Sequence, residues 1–102
     1  MAEKRKPTYD LEAFKTAAPR MRVTVVATRT AAALGFARAD IVAAVQTMRR
    51  THFYKSMTSY GDHRIWQDTY HVPSPVGTLY VKFTADAVTE FALLSFKEKD
   101  ND

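Results

Sequence analysis

Whatever chemistry this chain performs must use nitrogen and oxygen groups. It has no cysteine, which removes thiol nucleophiles, thiolate metal sites and disulfides together. Three histidines offer groups that titrate near neutral pH, but His63 sits in a Gly-Asp turn and His71 beside a proline loop, where turn or surface roles are the ordinary reading. No two of His52, His63 and His71 stand at helical i, i+4 spacing, so neither a metal centre nor any cofactor is expected. Lysines are the other candidates. Lys55, Lys82 and Lys97 fall in segments that alternate like strands. A single strand lysine is usually a solvated charge, whereas several on one face suit an anionic ligand. Fifteen Lys and Arg against eleven Asp and Glu give a formal charge of +4 and a pI near 9.5. That balance favours a polyanion, nucleic acid first, although small basic proteins need have no such partner. Position must decide.

The positioning elements follow from hydrophobic periodicity. With 102 residues, 46% of them hydrophobic, the chain suffices for one core, so residues 1–102 read as one domain with a mobile basic head through Lys6 and an acidic tail from Asp100. No apolar run approaches the roughly 20 residues that span a bilayer, and the polar start is unlike a signal segment, so a cytoplasmic protein is expected. The first half has helical period. Thr8 or Asp10 caps a helix with Leu11, Phe14 and Ala18 on its apolar face, stopped by Pro19. After a short extended piece at Met21-Arg22-Val23, Thr24 caps a second helix carrying Ala27, Ala31 and Leu34, closed by Gly35. A third, from Ala39 to Arg49, shows Ile41, Val42, Val45 and Met48 as one stripe, with Asp40 near its positive end. Beyond Thr51 the period drops to two, predicting strands at Phe53–Ser59, Ile65–Val72, Thr78–Thr84 and Val88–Lys97, with Ala85-Asp86-Ala87 as a tight link between the last two. The fold class is therefore α+β, helices packed on one face of an antiparallel sheet.

Alternation assigns faces. Leu79, Val81 and Phe83 point toward the helices, and Thr78, Tyr80, Lys82 and Thr84 away from them. Ile65, Gln67 and Thr69 share a side, as do Leu93, Ser95 and Lys97, and Lys55 shares one with Phe53 and Met57. Trp66 and Tyr70 oppose Gln67 and read as core.

The blocks Phe53-Tyr54-Lys55-Ser56-Met57-Thr58, Ile65-Trp66-Gln67-Asp68, Leu79-Tyr80-Val81-Lys82 and Ser95-Phe96-Lys97-Glu98-Lys99, in this order and spacing, closely resemble the motility quorum-sensing regulator (MqsR) family of bacterial mRNA-interferase toxins. The resemblance runs from about Arg22 to Lys99 and is strongest from Phe53 onward. It implies a compact RelE-like toxin, a monomer when free, that cleaves mRNA at GC-containing triplets such as GCU. It also implies neutralisation by a zinc-binding, DNA-binding antitoxin. The family's catalytic lysine, glutamine, tyrosine and second lysine fall on Lys55, Gln67, Tyr80 and Lys97, with Met57 and Lys82 as further RNA contacts. Two departures stand out: an apparent two-residue lengthening at Ala85–Glu90, and apolar Val23–Val26.

These groups suit cleavage of RNA by its own 2′-hydroxyl, which needs a proton removed, a phosphorane stabilised and a 5′-oxygen helped away. Lys55 and Lys97 answer the second need. Tyrosine and lysine ordinarily titrate near 10, so if the two lysines converge, mutual repulsion would free one as base while Tyr80 donates to the leaving oxygen or the phosphate. Gln67 suits orienting a ribose hydroxyl or reading a base edge. Two rivals remain open. One is a non-catalytic RNA-binding module, disfavoured because Tyr80 is the aromatic that clearly faces out whereas sheet readers of RNA offer two or three. The other is an interferase that acts only on ribosome-bound mRNA.

Overall fold

Local capping signals place the helices. The structure is a computed structural model that describes residues 2–86 and 90–100. After a short strand β1 (Glu3–Lys4), helix α1 (Leu11–Ala17) starts where the Asp10 carboxylate accepts the N–H groups of Glu12 and Ala13. A 3₁₀ turn through Pro19 leads into strand β2 (Arg22–Val23), and helix α2 (Val25–Ala33) begins at Thr24, whose hydroxyl oxygen accepts the Ala27 N–H at 3.1 Å. Gly35 ends it at φ +86°, a conformation that costs a residue with a Cβ. The Gly35 and Phe36 N–H groups then turn back onto the carbonyls of Ala32 and Ala31. Helix α3 (Arg38–Gln46) is shorter than the expected Ala39–Arg49 at its far end. The Thr47 hydroxyl donates to the Ala44 carbonyl at 2.7 Å and the chain leaves the helix there, so Arg49 and Arg50 lie outside it while Met48 stays buried.

Strands β3 (Phe53–Thr58), β4 (Trp66–Ser74), β5 (Gly77–Ala85) and β6 (Phe91–Glu98) follow. Among the described residues the sheet runs β1-β3-β4-β5-β6-β2. Its pairs are antiparallel except β2 with β6, which is parallel. The α+β class is as expected, with two corrections. The basic head read as mobile contains β1, whose Glu3 and Lys4 pair with Met57 and Ser56. The second gap between predicted strands narrows too: β4 continues through Pro73 to Ser74, because Pro73 sits near the hairpin end where a missing N–H matters least. Ala87, Val88, Asn101 and Asp102, named in the expected link, strand and tail, lie outside the described residues.

The core lies between the helices and one sheet face. Phe14 of α1 stacks on Phe83 of β5 with centroids 3.7 Å apart, and Ile41, Val45, Val72, Leu79, Val81, Leu93 and Phe96 are buried around them. Each such ring or branched side chain contributes about 1.5–3 kcal/mol by leaving water. One buried polar group stitches the N-terminal segment to this body. The Asp68 carboxylate, wholly buried, accepts the Thr8 and Tyr9 N–H groups at 2.9–3.1 Å, while the Thr8 and Ser56 hydroxyls meet at 2.7 Å and the Tyr9 hydroxyl donates to the Trp66 carbonyl.

Tyr70 behaves oppositely. Its ring is buried against Phe83 and Phe53, as expected of a core residue, but its hydroxyl has no hydrogen-bond partner among the described residues. An unsatisfied buried hydroxyl is a cost, so Tyr70→Phe is expected to hold or raise stability, by about 1 kcal/mol, in urea unfolding. Burial pushes this phenol up to about 12, with the Asp68 carboxylate adding to the rise. The unfolded chain therefore ionises Tyr70 first, and the stability tied to this group is intact below pH 10 and fades as the pH climbs toward 12. The phenylalanine variant escapes that alkaline loss. A variant less stable than the parent at pH 7 would show that the hydroxyl is satisfied after all.

Candidate active site

The sheet face away from the helices is assembled by register. His71 of β4 pairs with Tyr80 of β5, and Tyr80 with Lys97 of β6, so these three form one cross-strand row. The next row is Lys55, Thr69, Lys82 and Ser95, and beyond it Met57 stands opposite Gln67. Gln67 and His71, both partly exposed, alternate along β4 with the buried Asp68, Tyr70 and Val72, which fixes these rows on the outward side, where Thr69 between them is itself wholly buried. All four residues drawn from the family resemblance therefore share one face, together with Met57 and Lys82.

Two bulges make that possible, and both overturn a face assignment. Phe53 pairs with Tyr70 but Lys55 with Thr69, so the extra residue Tyr54 separates them. Phe53 turns into the core, and Lys55 does not share its side. On β6 Phe83 pairs with Leu93 but Lys82 with Ser95. Leu93 is consequently buried rather than grouped with Ser95 and Lys97.

The bulge at Tyr54 also brings that ring onto the outward face, where it stacks on His71 at 4.3 Å with planes 24° apart. A continuous strip results. Lys55 Nζ lies 5.2 Å from the Tyr54 ring, the His71 and Tyr80 centroids are 6.0 Å apart, and Lys97 Nζ is 5.2 Å from the Tyr80 ring. Three aromatic rings thus line the face, not Tyr80 alone. His71, read as a surface residue by the proline loop, stands at the centre of the strip; its i+4 spacing from Gln67 on an alternating strand was the available signal. Tyr54 had none, because a bulge is invisible to strict alternation.

Gln67 is apart from this strip. Strands rise about 3.3 Å per residue, so the four residues from Gln67 to His71 put it roughly 13 Å along the sheet. Lys55 and Lys97 do not converge either. They are three strand spacings and two residues apart, roughly 15 Å between Cα atoms at about 4.8 Å per strand. The expected mutual repulsion gives way to a different partner: Lys55 Nζ donates to Glu3 Oε1 at 3.0 Å across the β1–β3 pair. That hydrogen bond raises the Lys55 ammonium above its ordinary value, the opposite of what a lysine base needs.

The histidines divide by environment. His52 Nδ1 accepts the Arg49 N–H at 3.0 Å within a 3₁₀ turn, a structural task, and burial with nearby Arg49 lowers it. Burial first, and the Lys99 ammonium second, lower His71 below 6.5. Its ring nitrogens make no hydrogen bond among the described residues. Nor do three or more His, Asp or Glu side chains gather closely enough among the described residues to hold a metal ion. No helix there is long and apolar enough to cross a membrane. Chemically, the strip offers ammonium groups, a phenol and an imidazole in a line, a set that binds an anionic backbone, stacks bases and moves protons.

Comparison with known proteins shows the family. A family model described as motility quorum-sensing regulator, toxin of MqsA, matches residues 6–98. A curated relative, the mRNA interferase toxin MqsR of Escherichia coli (strain K12), is 36% identical over 99 residues, spanning 95% of this chain and 99% of the relative.

Proposed function

This chain belongs to the motility quorum-sensing regulator toxin family, and we propose that it is a metal-independent endoribonuclease that cleaves mRNA at short GC-containing sequences such as GCU through attack by the 2′-hydroxyl. Membership makes it a toxin and an mRNA interferase, with an RNA substrate and an antitoxin as partners. The antitoxin is read as a zinc-binding, DNA-binding protein that meets a free toxin monomer in the cytoplasm.

The observation that carries the reading is the strip from Lys55 through Tyr80 to Lys97 on an uncovered sheet face. Lys97 and Tyr80, neighbours across β5 and β6, bracket the scissile phosphate: the ammonium neutralises its oxygens and the phenol donates a hydrogen bond to a phosphate or leaving oxygen. Lys55 holds the backbone one step along. Gln67, Met57 and Lys82 meet a neighbouring nucleotide, where an amide reads a ribose hydroxyl or a base edge. The rings of Tyr54, His71 and Tyr80 add a stacking platform for bases splayed from the strand.

The test is incubation of purified protein with naked RNA in EDTA, followed by mapping of the new ends. Fragments ending in 2′,3′-cyclic phosphate are expected. RNA that stays bound and intact would mean that this face holds rather than cuts, and cutting that appears only on addition of ribosomes would make the enzyme ribosome-dependent.

Glu3 sets a further expectation. Its carboxylate spends part of the Lys55 charge inside the face that meets phosphate. Glu3→Gln should tighten binding of a single-stranded RNA several-fold at low salt and steepen the dependence of log affinity on log salt by roughly 0.7, the share of one added phosphate contact. Fluorescence anisotropy across a salt series measures both. An unchanged slope would mean that Lys55 does not face the RNA.

A further inference from the structure

The strip lacks an assigned base. Lysine and tyrosine ordinarily keep their protons at pH 7, and Lys55 is held in its charged form by Glu3. His71 stands between the rings of Tyr54 and Tyr80, on the same cross-strand row as Lys97, with neither ring nitrogen engaged by a described residue. We propose that the His71 imidazole takes the proton from the attacking 2′-hydroxyl, an inference that rests on the nuclease reading above. The packing supports it. The Tyr54 stack holds the plane of the imidazole, and pairing places His71 directly across from Tyr80, whose other neighbour is Lys97, the two groups assigned to the phosphate.

The bond changes balance. The O2′–P bond forms and the P–O5′ bond breaks; the O2′ proton passes to His71, and the departing O5′ takes a proton from the Tyr80 hydroxyl. The imidazolium then returns its proton to the Tyr80 oxygen. The enzyme ends as it began, and the products are a 2′,3′-cyclic phosphate and a 5′-hydroxyl.

The charged and titrating groups around His71 agree on its state. Tyr54 and Lys55 face it from β3, Tyr80 and Lys82 from β5, Lys97 and the following Lys99 from the β6 side, with Glu3 of β1 bound to Lys55. Apart from that Glu3 carboxylate the ionised groups are cationic, and burial first, with the Lys99 ammonium second, favours the neutral imidazole, the form a base requires. Its titration in the free protein falls below 6.5, so kcat/KM should climb with pH to a midpoint under that value and then level.

Single-turnover cleavage of a transcript in EDTA, across pH, reads this directly. For His71→Ala, kcat/KM is expected to drop about 10²–10⁴-fold, the acid limb to vanish, and added imidazole to restore part of the rate. An oligonucleotide with a 2′-deoxy residue at the cleavage point should bind as before. A substrate with sulfur in place of the scissile O5′, which leaves without a proton, should stay slow with His71→Ala and be rescued with Tyr80→Phe. If wild type cuts but the alanine variant matches its rate, or the sulfur substrate restores that variant, His71 is not the base and the nuclease reading survives. If wild type leaves RNA intact both naked and with ribosomes added, the nuclease reading itself fails. Should the variant not fold, an NMR titration of His71 in the wild-type protein decides: its midpoint must equal that of the kinetic acid limb, and a mismatch overturns the assignment.

Discussion

Lys97→Ala cuts the rate of RNA cleavage by about 10²–10³-fold, the usual loss of one preorganised group aimed at developing charge. The size follows from where the ammonium stands. It lies 5.2 Å from the Tyr80 ring on an uncovered face, and no carboxylate among the described residues pairs with it. Its charge is therefore available to a phosphorane, whereas that of Lys55 is already shared with Glu3. The loss should fall on kcat, since the phosphorane carries more negative charge than the ground-state diester. Lys55→Ala, by contrast, weakens binding more than it slows the chemical step. Lys97→Arg keeps part of the rate, because a guanidinium retains charge but brings a planar fork to a site shaped for a point donor. Single-turnover rates at saturating RNA measure these effects. A loss of less than tenfold in Lys97→Ala would remove this residue from the reaction.

Asp68→Ala destabilises the fold by about 2–4 kcal/mol, because the partly buried Thr8 and Tyr9 N–H groups lose a wholly buried charged acceptor. In a domain whose whole stability is about 5–15 kcal/mol this is a large share, and the melting midpoint should drop by roughly 10–20 °C. Asp68→Asn keeps one carbonyl acceptor and should recover part of it. Thermal unfolding followed by circular dichroism separates the three proteins. The consequence reaches the active face indirectly: Asp68 and Gln67 are sequence neighbours on opposite sides of β4, and the segment that Asp68 pins leads back to β1, which carries the Glu3 partner of Lys55. A destabilised variant with full activity at low temperature would confirm that Asp68 acts on the scaffold alone. A midpoint shift under about 3 °C would mean that the two N–H groups find other acceptors.

Much of this molecule is legible in its amino-acid sequence. Caps and stops carried the helices: Asp10, Thr24, Gly35 and Asp40 do what their types and places predict. Period-two alternation separated Leu79, Val81 and Phe83 from Tyr80 and Lys82, and register bears that out. What escaped was set by features without a local signature. A bulge needs one extra residue against a partner strand, so only the pairing reveals that Tyr54 turns outward and Leu93 inward. Strand β1 is two residues of an apparently polar head that acquires a place through β3, a partner more than fifty positions away. Distance was lost for the same reason. Motif order implied one tight cluster, but the sheet spreads Gln67 and Lys97 along and across its face. The aspartate of the Ile65–Asp68 block looked polar and proved to be the buried anchor.

The row from Tyr54 to Lys97 crosses strands that follow one another along the chain, whereas the outer pairings, β1 to β3 and β2 to β6, join distant stretches. Closing long loops is slow, and the two-residue margins fray first. Amide hydrogens of Tyr70, Val81 and Phe96 in the inner meander should thus exchange with solvent only through global opening, and those of Glu3 and Arg22 through small local ones. The reacting groups ride on the slowest-exchanging part of the molecule, so warming loosens the borders well before it disturbs the chemistry.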